Sequence, residues 1–357
     1  MAWVAASIVV LGAIYLALVF GYGGTRGPGN GREVELEWPS KVSPEDAGER
    51  LSAAGLVSHP RLFAMYLRAT GASEGLRSGH HFLTDDLSPR ELVRRMQRGR
   101  AEERVKLRIP EGLTRFDIAK RLQMQKVCSA RAFLDASVDV DLLGRLQITG
   151  DSAEGFLFPA TYDFAMDSEP SQVVTRMKGE FDKRFEKLTR DNAQGTDVLH
   201  GQMGWGTQEI VTMASIVEKE AAVDEERPLI ASVFLNRLRD PAFVPKRLQS
   251  DPTSAYGCMA HPERISSCRW YTGKVTPDMN SDDSNPYTTY RHEGLPPGPI
   301  SNPGEKSLAA VLVPSESHYL YFVARGEGRH TFSETYAQHT DAIRHQRALS
   351  QSQAPSP

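Results

Sequence analysis

An apolar run at the start of the chain restricts its fold more than any other feature. The first 24 residues carry no charged side chain, and residues 2–20 are almost entirely apolar. About 20 apolar residues form a helix long enough to cross a bilayer core. A buried core helix of this length would show a polar stripe, and a cleaved signal peptide would need a basic start and a small-residue cleavage site. Neither is visible, so we predict a transmembrane anchor over residues 1–22.

The charges around this run leave its orientation open. No lysine or arginine precedes it, whereas Arg26, Arg32 and Lys41 follow it. The positive-inside rule alone would place the rest of the chain in the cytoplasm, although long domains translocate largely regardless of such charges. Residues 23–41 are rich in glycine and show no periodicity, which predicts a flexible linker.

Length and charge narrow the class of protein. A chain of 357 residues can form two or three domains with cores of their own. The net charge of −3 gives no basic field that would attract nucleic acid. Three cysteines are too few for a disulfide-built scaffold. Metal-binding spacings such as CxxC and HExxH are missing, so we predict neither a metal nor a cofactor.

Residues 42–150 contain a weak internal repeat. Each copy combines a strand with a pair of helices, and four residues recur at a constant offset of 71. The matched residues are Asp46, Arg50, Leu51 and Ser58 with Asp117, Arg121, Leu122 and Ser129. A strand-and-helix unit used twice predicts one small α+β region.

Residues 151–345 predict a second, mainly helical domain, so the fold class is α+β throughout. A long amphipathic helix over 169–188 has an apolar face, and further helices are predicted over 207–223 and 225–239. Loops rich in proline and glycine follow, then a strand and a last helix. The polar tail, residues 346–357, is predicted to be disordered.

The helix predicted over 207–223 carries three charges on its last turns. At 100° per residue, Glu218 lies at one edge of the apolar stripe, Glu220 at the opposite edge, and Lys219 points away. Carboxylates at such a boundary are usually solvated charges. At the rim of a cleft, however, burial favours the protonated form of a carboxyl, which can then act as a general acid. Periodicity does not choose between the two glutamates.

Two polar loops follow this helix in the sequence. Asn236 shares a helix face with Leu229 and Val233, so it is either a structural tie or a substrate contact. The segments 247–257 and 285–307 carry side chains suited to sugar hydroxyls, and each one alone would be consistent with a turn or a cap. Two long polar loops beside one helix predict a groove, with these candidate ligand contacts: Gln249, Asp251, Tyr256, Tyr290 and Asn302.

Several ordered motifs resemble those of one known family. They are IPEGLTRFDIAKRL, EGFLFPATYDF, ASIVEKEA, RPLIASVFLNRL, RLQSDPTSAYG, NPYTTYRHEGLPPGPISNPG and YLYFVARGEGRHTFSETYAQH. Together they resemble the endolytic murein transglycosylases of the YceG-like family over about residues 40–345. The N-terminal layout is also similar, with an inner-membrane anchor and a LysM-like repeat region.

The resemblance implies a periplasmic enzyme that cleaves bonds between N-acetylmuramic acid and N-acetylglucosamine in nascent peptidoglycan, terminating glycan elongation. The muramyl 6-hydroxyl, not water, attacks and leaves a 1,6-anhydro end. The motif match assigns the catalytic role to Glu218 and leaves Glu220 as a neighbour. It implies substrate contacts in the two loops and at Asn236, and a location beside peptidoglycan synthases.

Two other functions stay open at this point. A membrane-anchored scaffold could bind peptidoglycan without cleaving it. A glycoside hydrolase would need a second carboxylate, for which Asp251 and Glu220 are candidates.

An oxidising compartment, which the resemblance implies, would also allow a disulfide between Cys258 and Cys268. Two free thiols or a metal-binding pair are the alternatives, and Cys128 is predicted to be a buried thiol.

Overall fold

The computed structural model describes residues 10, 12–13, 15–98 and 104–352. These residues form a mainly helical α+β protein with three two-stranded sheets. Half of the predicted anchor, residues 1–9, 11 and 14, lies outside the described part. In the part that is described, no helix is both long enough and apolar enough to cross a membrane.

The chain divides into two compact units whose segments alternate along the sequence. The first unit comprises Met1–Leu107, Ala119–Phe133 and Tyr162–Val173, and the rest of the chain forms the second unit. The division therefore differs from the single boundary predicted at residue 150. In particular, the second unit includes Arg108–Ile118, which brings the Pro110-Glu111-Gly112 turn into it.

Strand β1 (Glu33–Trp38) corrects the prediction of a flexible linker over residues 23–41. It pairs antiparallel with β2 (Gly79–Thr84), with Glu33 opposite Thr84 and Trp38 opposite Gly79. The physical reason is a period-2 pattern in EVELEW, which alternates glutamates with apolar residues. Trp38 is buried in the core of the first unit, so order begins before residue 42.

Helices α1 (Pro44–Ala53), α2 (Pro60–Thr70) and α3 (Pro89–Arg98) complete this part of the first unit. Ser43 caps α1 by accepting a hydrogen bond from the Asp46 amide. The apolar faces of strands and helices meet in one core, whose largest buried side chains include Trp38, Leu51, Leu56, Phe63, Tyr66, Leu67, Leu83, Leu92 and Met96.

The order of the elements is similar in the two predicted copies but not identical, since two α-helices separate β1 from β2 and three separate β3 from β4. Strand β3 (Arg104–Arg108) is followed by helices α4 (Arg115–Met124), α5 (Ala130–Ala136) and α6 (Val140–Arg145), and then by β4 (Thr161–Ala165). Strand β3 pairs with β4 as β1 pairs with β2. The matched leucines Leu51 and Leu122 are both buried, which explains why this pair recurs.

The remaining helices and strands lie mostly or wholly in the second unit. The helices are α7 (Pro170–Asp191), α8 (Ala193–Met203), α9 (Thr207–Glu220), α10 (Arg227–Arg239), α11 (Asp251–Ala260), α12 (Pro277–Ser281), α13 (Glu305–Leu312) and α14 (Tyr336–Ser352). Strands β5 (Tyr321–Gly326) and β6 (Arg329–Ser333) form an antiparallel hairpin. Helix α9 is central because it contacts α10, α11 and α13.

Two helix ends differ from the predicted ones. Helix α9 ends at Glu220, three residues earlier than expected, because the backbone becomes extended at Ala221. Helix α14 continues to Ser352, beyond residue 346 where we expected it to end.

Candidate active site

The last turn of α9 carries the two glutamates at the edges predicted for them. Glu218 and Glu220 are both partly buried, and Lys219 between them is exposed. Carboxylates are unfavourable at a helix C-terminus, where the backbone carbonyls concentrate negative charge. Their presence therefore needs local partners, and these differ completely between the two residues.

Glu218 is enclosed in a hydrogen-bonded ion pair. Its Oε2 lies 3.2 Å from Arg227 Nη1, and the two side chains are 7% and 9% exposed. The same oxygen accepts hydrogen bonds from Ser307 Oγ (2.7 Å) and from the Gly304 amide (3.1 Å). Arg227 also donates to Ser307 and Asp224. This network ties α9 to α10 and to the start of α13.

A third carboxyl, Glu111, lies beside this ion pair and was not predicted. A Cβ atom built on Gly304 would lie 2.1 Å from Glu111 Oε1, and one on Gly112 would lie 3.4 Å from Glu218 Cγ. Burial, and then the negative charge of Glu218, raise the pKa of Glu111. The Gly112 backbone adopts φ +73°, which only glycine adopts readily, so the IPEG turn is shaped to approach α9 closely.

Glu220 faces an open cavity on the other side of α9. The cavity has a volume of about 380 Å³ and is lined by Glu220, Arg237, Gln249, Asp251, Tyr290, Tyr321, Phe322, Tyr336 and His339. Ser250 Oγ donates a hydrogen bond of 2.6 Å to Glu220. Burial raises the pKa of Glu220 and the negative charge of Asp251 adds to this, whereas the Ser250 hydrogen bond opposes it.

The two predicted loops meet at this cavity and are joined by buried threonines. The Ser250 amide donates to Thr289 Oγ1 (3.0 Å), and the hydroxyls of Thr253 and Thr289 are 3.0 Å apart. Gln249 adopts φ +55°, an uncommon value for a residue other than glycine. Its amide donates to the Thr289 carbonyl, so the second loop holds the first in place.

Asp251, a lining residue of the cavity, is held by the second loop and by α12. Its Oδ1 accepts hydrogen bonds of 2.8 Å from the Tyr290 hydroxyl and from Asn280 Nδ2. Burial, and then the hydrogen bond to Asp251, raise the pKa of the Tyr290 phenol. Tyr290 is therefore a neutral donor at neutral pH.

Arg237 forms the floor of the cavity and was also not predicted. Its guanidinium donates to the carbonyls of Leu320 and Leu248. Burial lowers its pKa to about 10, so it remains charged at neutral pH. It thereby fixes the first loop and the start of β5 around Glu220.

Three predicted ligand contacts do not line the cavity: Asn236, Tyr256 and Asn302. The structure corrects that assignment. Asn236 donates to the carbonyls of Ser317 (2.8 Å) and Tyr319 (3.0 Å), which is the structural tie considered as an alternative. Tyr256 is buried and packs against the rings of Phe116 and Tyr287.

Asn302 is fully buried and its side chain is occupied on both sides. Its Oδ1 accepts from the amides of Gly155 and Leu157, each at 2.9 Å. Its Nδ2 donates to the Leu113 carbonyl (2.9 Å) and to Glu154 Oε1 (2.7 Å). These four hydrogen bonds leave no capacity for a substrate.

Cys258 and Cys268 form a disulfide, with Cα atoms 5.0 Å apart. The disulfide lies in a small apolar cluster with Ile265 and Met279. Because Met279 precedes Asn280, this cluster supports the residue that binds Asp251. Cys128 is a buried free thiol.

Comparisons with known proteins all point to the same family. The sequence profile of the YceG-like family matches residues 36–345. An endolytic murein transglycosylase of Bacillus subtilis (strain 168) is 28% identical over 324 residues, covering 87% of this chain and 83% of the relative. One of Streptococcus pneumoniae (strain ATCC BAA-255 / R6) is 31% identical over 317 residues, covering 82% of this chain and 54% of the relative. The chain thus spans about half the length of the pneumococcal relative.

A solved structure supports the fold. The crystal structure of a yceG-like protein from Listeria monocytogenes matches with a TM-score of 0.55 and 30% sequence identity. The match covers 87% of this chain and 99% of that one. The profile match and this structural likeness establish that the chain belongs to the YceG-like family.

Proposed function

We propose that the chain is an endolytic lytic transglycosylase that cleaves peptidoglycan glycan strands between N-acetylmuramic acid and N-acetylglucosamine. The observation that carries this proposal is Glu220, a carboxyl with a raised pKa in a cavity lined by polar and aromatic side chains. Such a cavity suits a saccharide, which offers hydroxyls and apolar ring faces together. The names of the two transglycosylase relatives point to the same class of reaction.

One carboxyl is sufficient for this reaction. Glu220 donates its proton to the glycosidic oxygen as the bond from that oxygen to muramyl C1 breaks. The muramyl 6-hydroxyl oxygen then bonds to C1, and its proton passes to the Glu220 carboxylate. The enzyme returns to its starting state and no water is consumed, because general acid and general base are the same group in turn.

Glu220 suits this role better than Glu218, the residue that the motif resemblance selected. A general acid must reach the substrate oxygen, and Glu220 lines the cavity. Glu218 instead has its Oε2 engaged with Arg227, Ser307 and Gly304.

A glycoside hydrolase is the second candidate, because Asp251 also lines the cavity and could supply the second carboxylate. The engagement of Asp251 Oδ1 by Tyr290 and Asn280 favours a positioning role instead. The product distinguishes the two reactions. Digestion of purified glycan strands should yield 1,6-anhydro-muramyl ends by mass spectrometry. Hydrated reducing ends would identify a hydrolase, and uncut strands would identify a binding scaffold.

We also infer that residues 2–20 anchor the chain in the inner membrane with the second unit in the periplasm, beside peptidoglycan synthases. The apolar run and the Cys258–Cys268 disulfide support this location, since disulfides persist in oxidising compartments. Protease added to spheroplasts should digest the second unit. Protection of that unit until the membrane is lysed would contradict this orientation.

The sequence repeat at an offset of 71 residues, and the helices that follow a paired strand in each copy, support a LysM-like, glycan-binding role for residues 42–150. Sedimentation of the Glu220→Gln protein with insoluble peptidoglycan tests it. Substitutions confined to the exposed faces of α1 and α2 should release the protein, and unchanged sedimentation would contradict the role.

A further inference from the structure

The cavity at Glu220 has an aromatic wall, formed by Tyr321, Tyr336 and His339, in addition to its polar loops. Tyr321 and His339 stack with ring centroids 5.2 Å apart and planes inclined by 23°. Tyr336 meets Tyr321 edge-on, with centroids 5.9 Å apart. The Arg237 guanidinium lies 5.7 Å from the Tyr321 ring centroid. Arg237 therefore contacts this wall as well as the first loop.

Tyr336 is the exposed member of this wall. Tyr336 is 66% exposed, so its ring is accessible to a ligand. It is the first residue of α14, and that helix start is well fixed. Gln338 Oε1 accepts from the amides of Glu334 and Thr335, and the Gln338 amide donates to Thr335 Oγ1. The ring is therefore presented by a capped helix rather than by a mobile loop.

His339 adds a polar atom that needs a partner. Its Nδ1 is buried and has no hydrogen-bond partner within the described part of the chain. Buried polar atoms of native proteins are nearly always hydrogen-bonded. Burial, and then the charge of Arg237, lower the pKa of His339, so its ring is neutral at neutral pH and can accept or donate at this atom.

We propose that Tyr336 and His339 form a saccharide-binding subsite in the cavity. The apolar C–H face of a pyranose ring stacks on Tyr336, and His339 turns its ring so that Nδ1 hydrogen-bonds a ring hydroxyl or an acetamido group. The sugar then lies between this wall and the polar side formed by Gln249 and Asp251, within reach of Glu220. This subsite rests on the proposed function, since it concerns the same cavity.

Binding of a soluble N-acetylglucosamine tetramer to the Glu220→Gln protein tests the subsite without turnover. Calorimetry should show that adding Tyr336→Ala weakens binding about ten-fold, the loss of one good aromatic contact. Adding Tyr336→Phe should preserve the affinity, because the stacking ring remains. Adding His339→Ala should weaken binding as well.

Trp270 supplies a matched control. It is an exposed aromatic, 79% accessible, that does not line the cavity, so Trp270→Ala should leave the affinity unchanged. Equal affinities for the Tyr336→Ala and parent proteins, equal losses for Tyr336→Ala and Trp270→Ala, or no binding by the parent would each overturn the subsite. The proposed function fails separately, if the wild-type protein releases no anhydro-muramyl product from glycan strands.

Discussion

Glu218 and Glu220 stand two residues apart on one helical turn, yet their surroundings differ in kind. Glu218 is closed in by an arginine, a hydroxyl and a backbone amide. Glu220 has one hydroxyl partner and an open cavity before it. The comparison teaches that partial burial alone does not identify a catalytic carboxyl. The number and charge of its fixed partners decide whether it can exchange a proton.

Replacing Glu220 should have the largest effect on activity. Glu220→Gln keeps the hydrogen bond from Ser250 and removes the transferable proton, so turnover should fall about 10²–10⁴-fold. Release of soluble product from glycan strands measures this. The thermal unfolding temperature should not fall, since no ion pair is broken. A variant with near wild-type turnover would remove Glu220 from the mechanism.

Replacing Glu218 should act mainly on stability. Glu218→Gln leaves Arg227 without its buried counter-charge and with only the half-exposed Asp224, and breaking a buried pair costs up to about 3–5 kcal/mol of unfolding free energy. Urea denaturation measures the loss. As a control, Glu218→Gln combined with Arg227→Met should recover part of it, because no buried charge then remains unpaired. Wild-type stability in the single variant would show that the ion pair has no structural role.

Asn302, like Glu218, is engaged by fixed partners within the protein, so its replacement should also act on stability. Asn302→Ala removes four buried hydrogen bonds, and a buried group left without a partner costs about 1–3 kcal/mol, so we expect a loss of about 3 kcal/mol or more. Calorimetric unfolding measures it. KM should be unchanged in the fraction that is folded. A raised KM with unchanged stability would restore the predicted substrate contact.

The pH dependence of turnover gives the finest test, because it reports the charge around Glu220. Besides burial, the groups that influence the pKa of Glu220 are Ser250, Asp251, Arg237 and His330. Catalysis starts from protonated Glu220, so turnover should fall as pH rises through its pKa. Asp251→Asn removes a negative charge that favours protonation but keeps an acceptor for Tyr290. The falling limb should therefore move to lower pH, and a limb that stays or rises would contradict this coupling.

Local features of this fold could be read from the sequence. Ser43, Ser88 and Thr114 each accept a hydrogen bond from the backbone amide three residues later, a contact that residue type and local spacing are enough to indicate. Helical periodicity also placed Glu218 and Glu220 on opposite edges of α9. Strand β1 was missed because its short alternation is embedded in a glycine-rich segment.

Features that depend on contacts between distant segments could not be predicted from the sequence. Which edge of α9 faces the cavity depends on Ser250 and Gly304, which reach the helix from separate loops. Glu111 arrives from a turn that precedes α9 by about a hundred residues, and its only local signal is the Pro-Glu-Gly turn. The sequence predicted Asn302 and Tyr256 as ligand contacts because their side chains can form hydrogen bonds. Residue type does not show whether a side chain is buried, and both of these are.

The most direct test compares Glu218→Gln and Glu220→Gln side by side on purified glycan strands. Anhydro-muramyl ends are counted by mass spectrometry and divided by the amount of folded protein, measured by circular dichroism. Glu220→Gln should yield almost none, while Glu218→Gln should yield nearly as many as the wild type. The reverse pattern, with product from Glu220→Gln and none from folded Glu218→Gln, would contradict the assignment of proton transfer to Glu220.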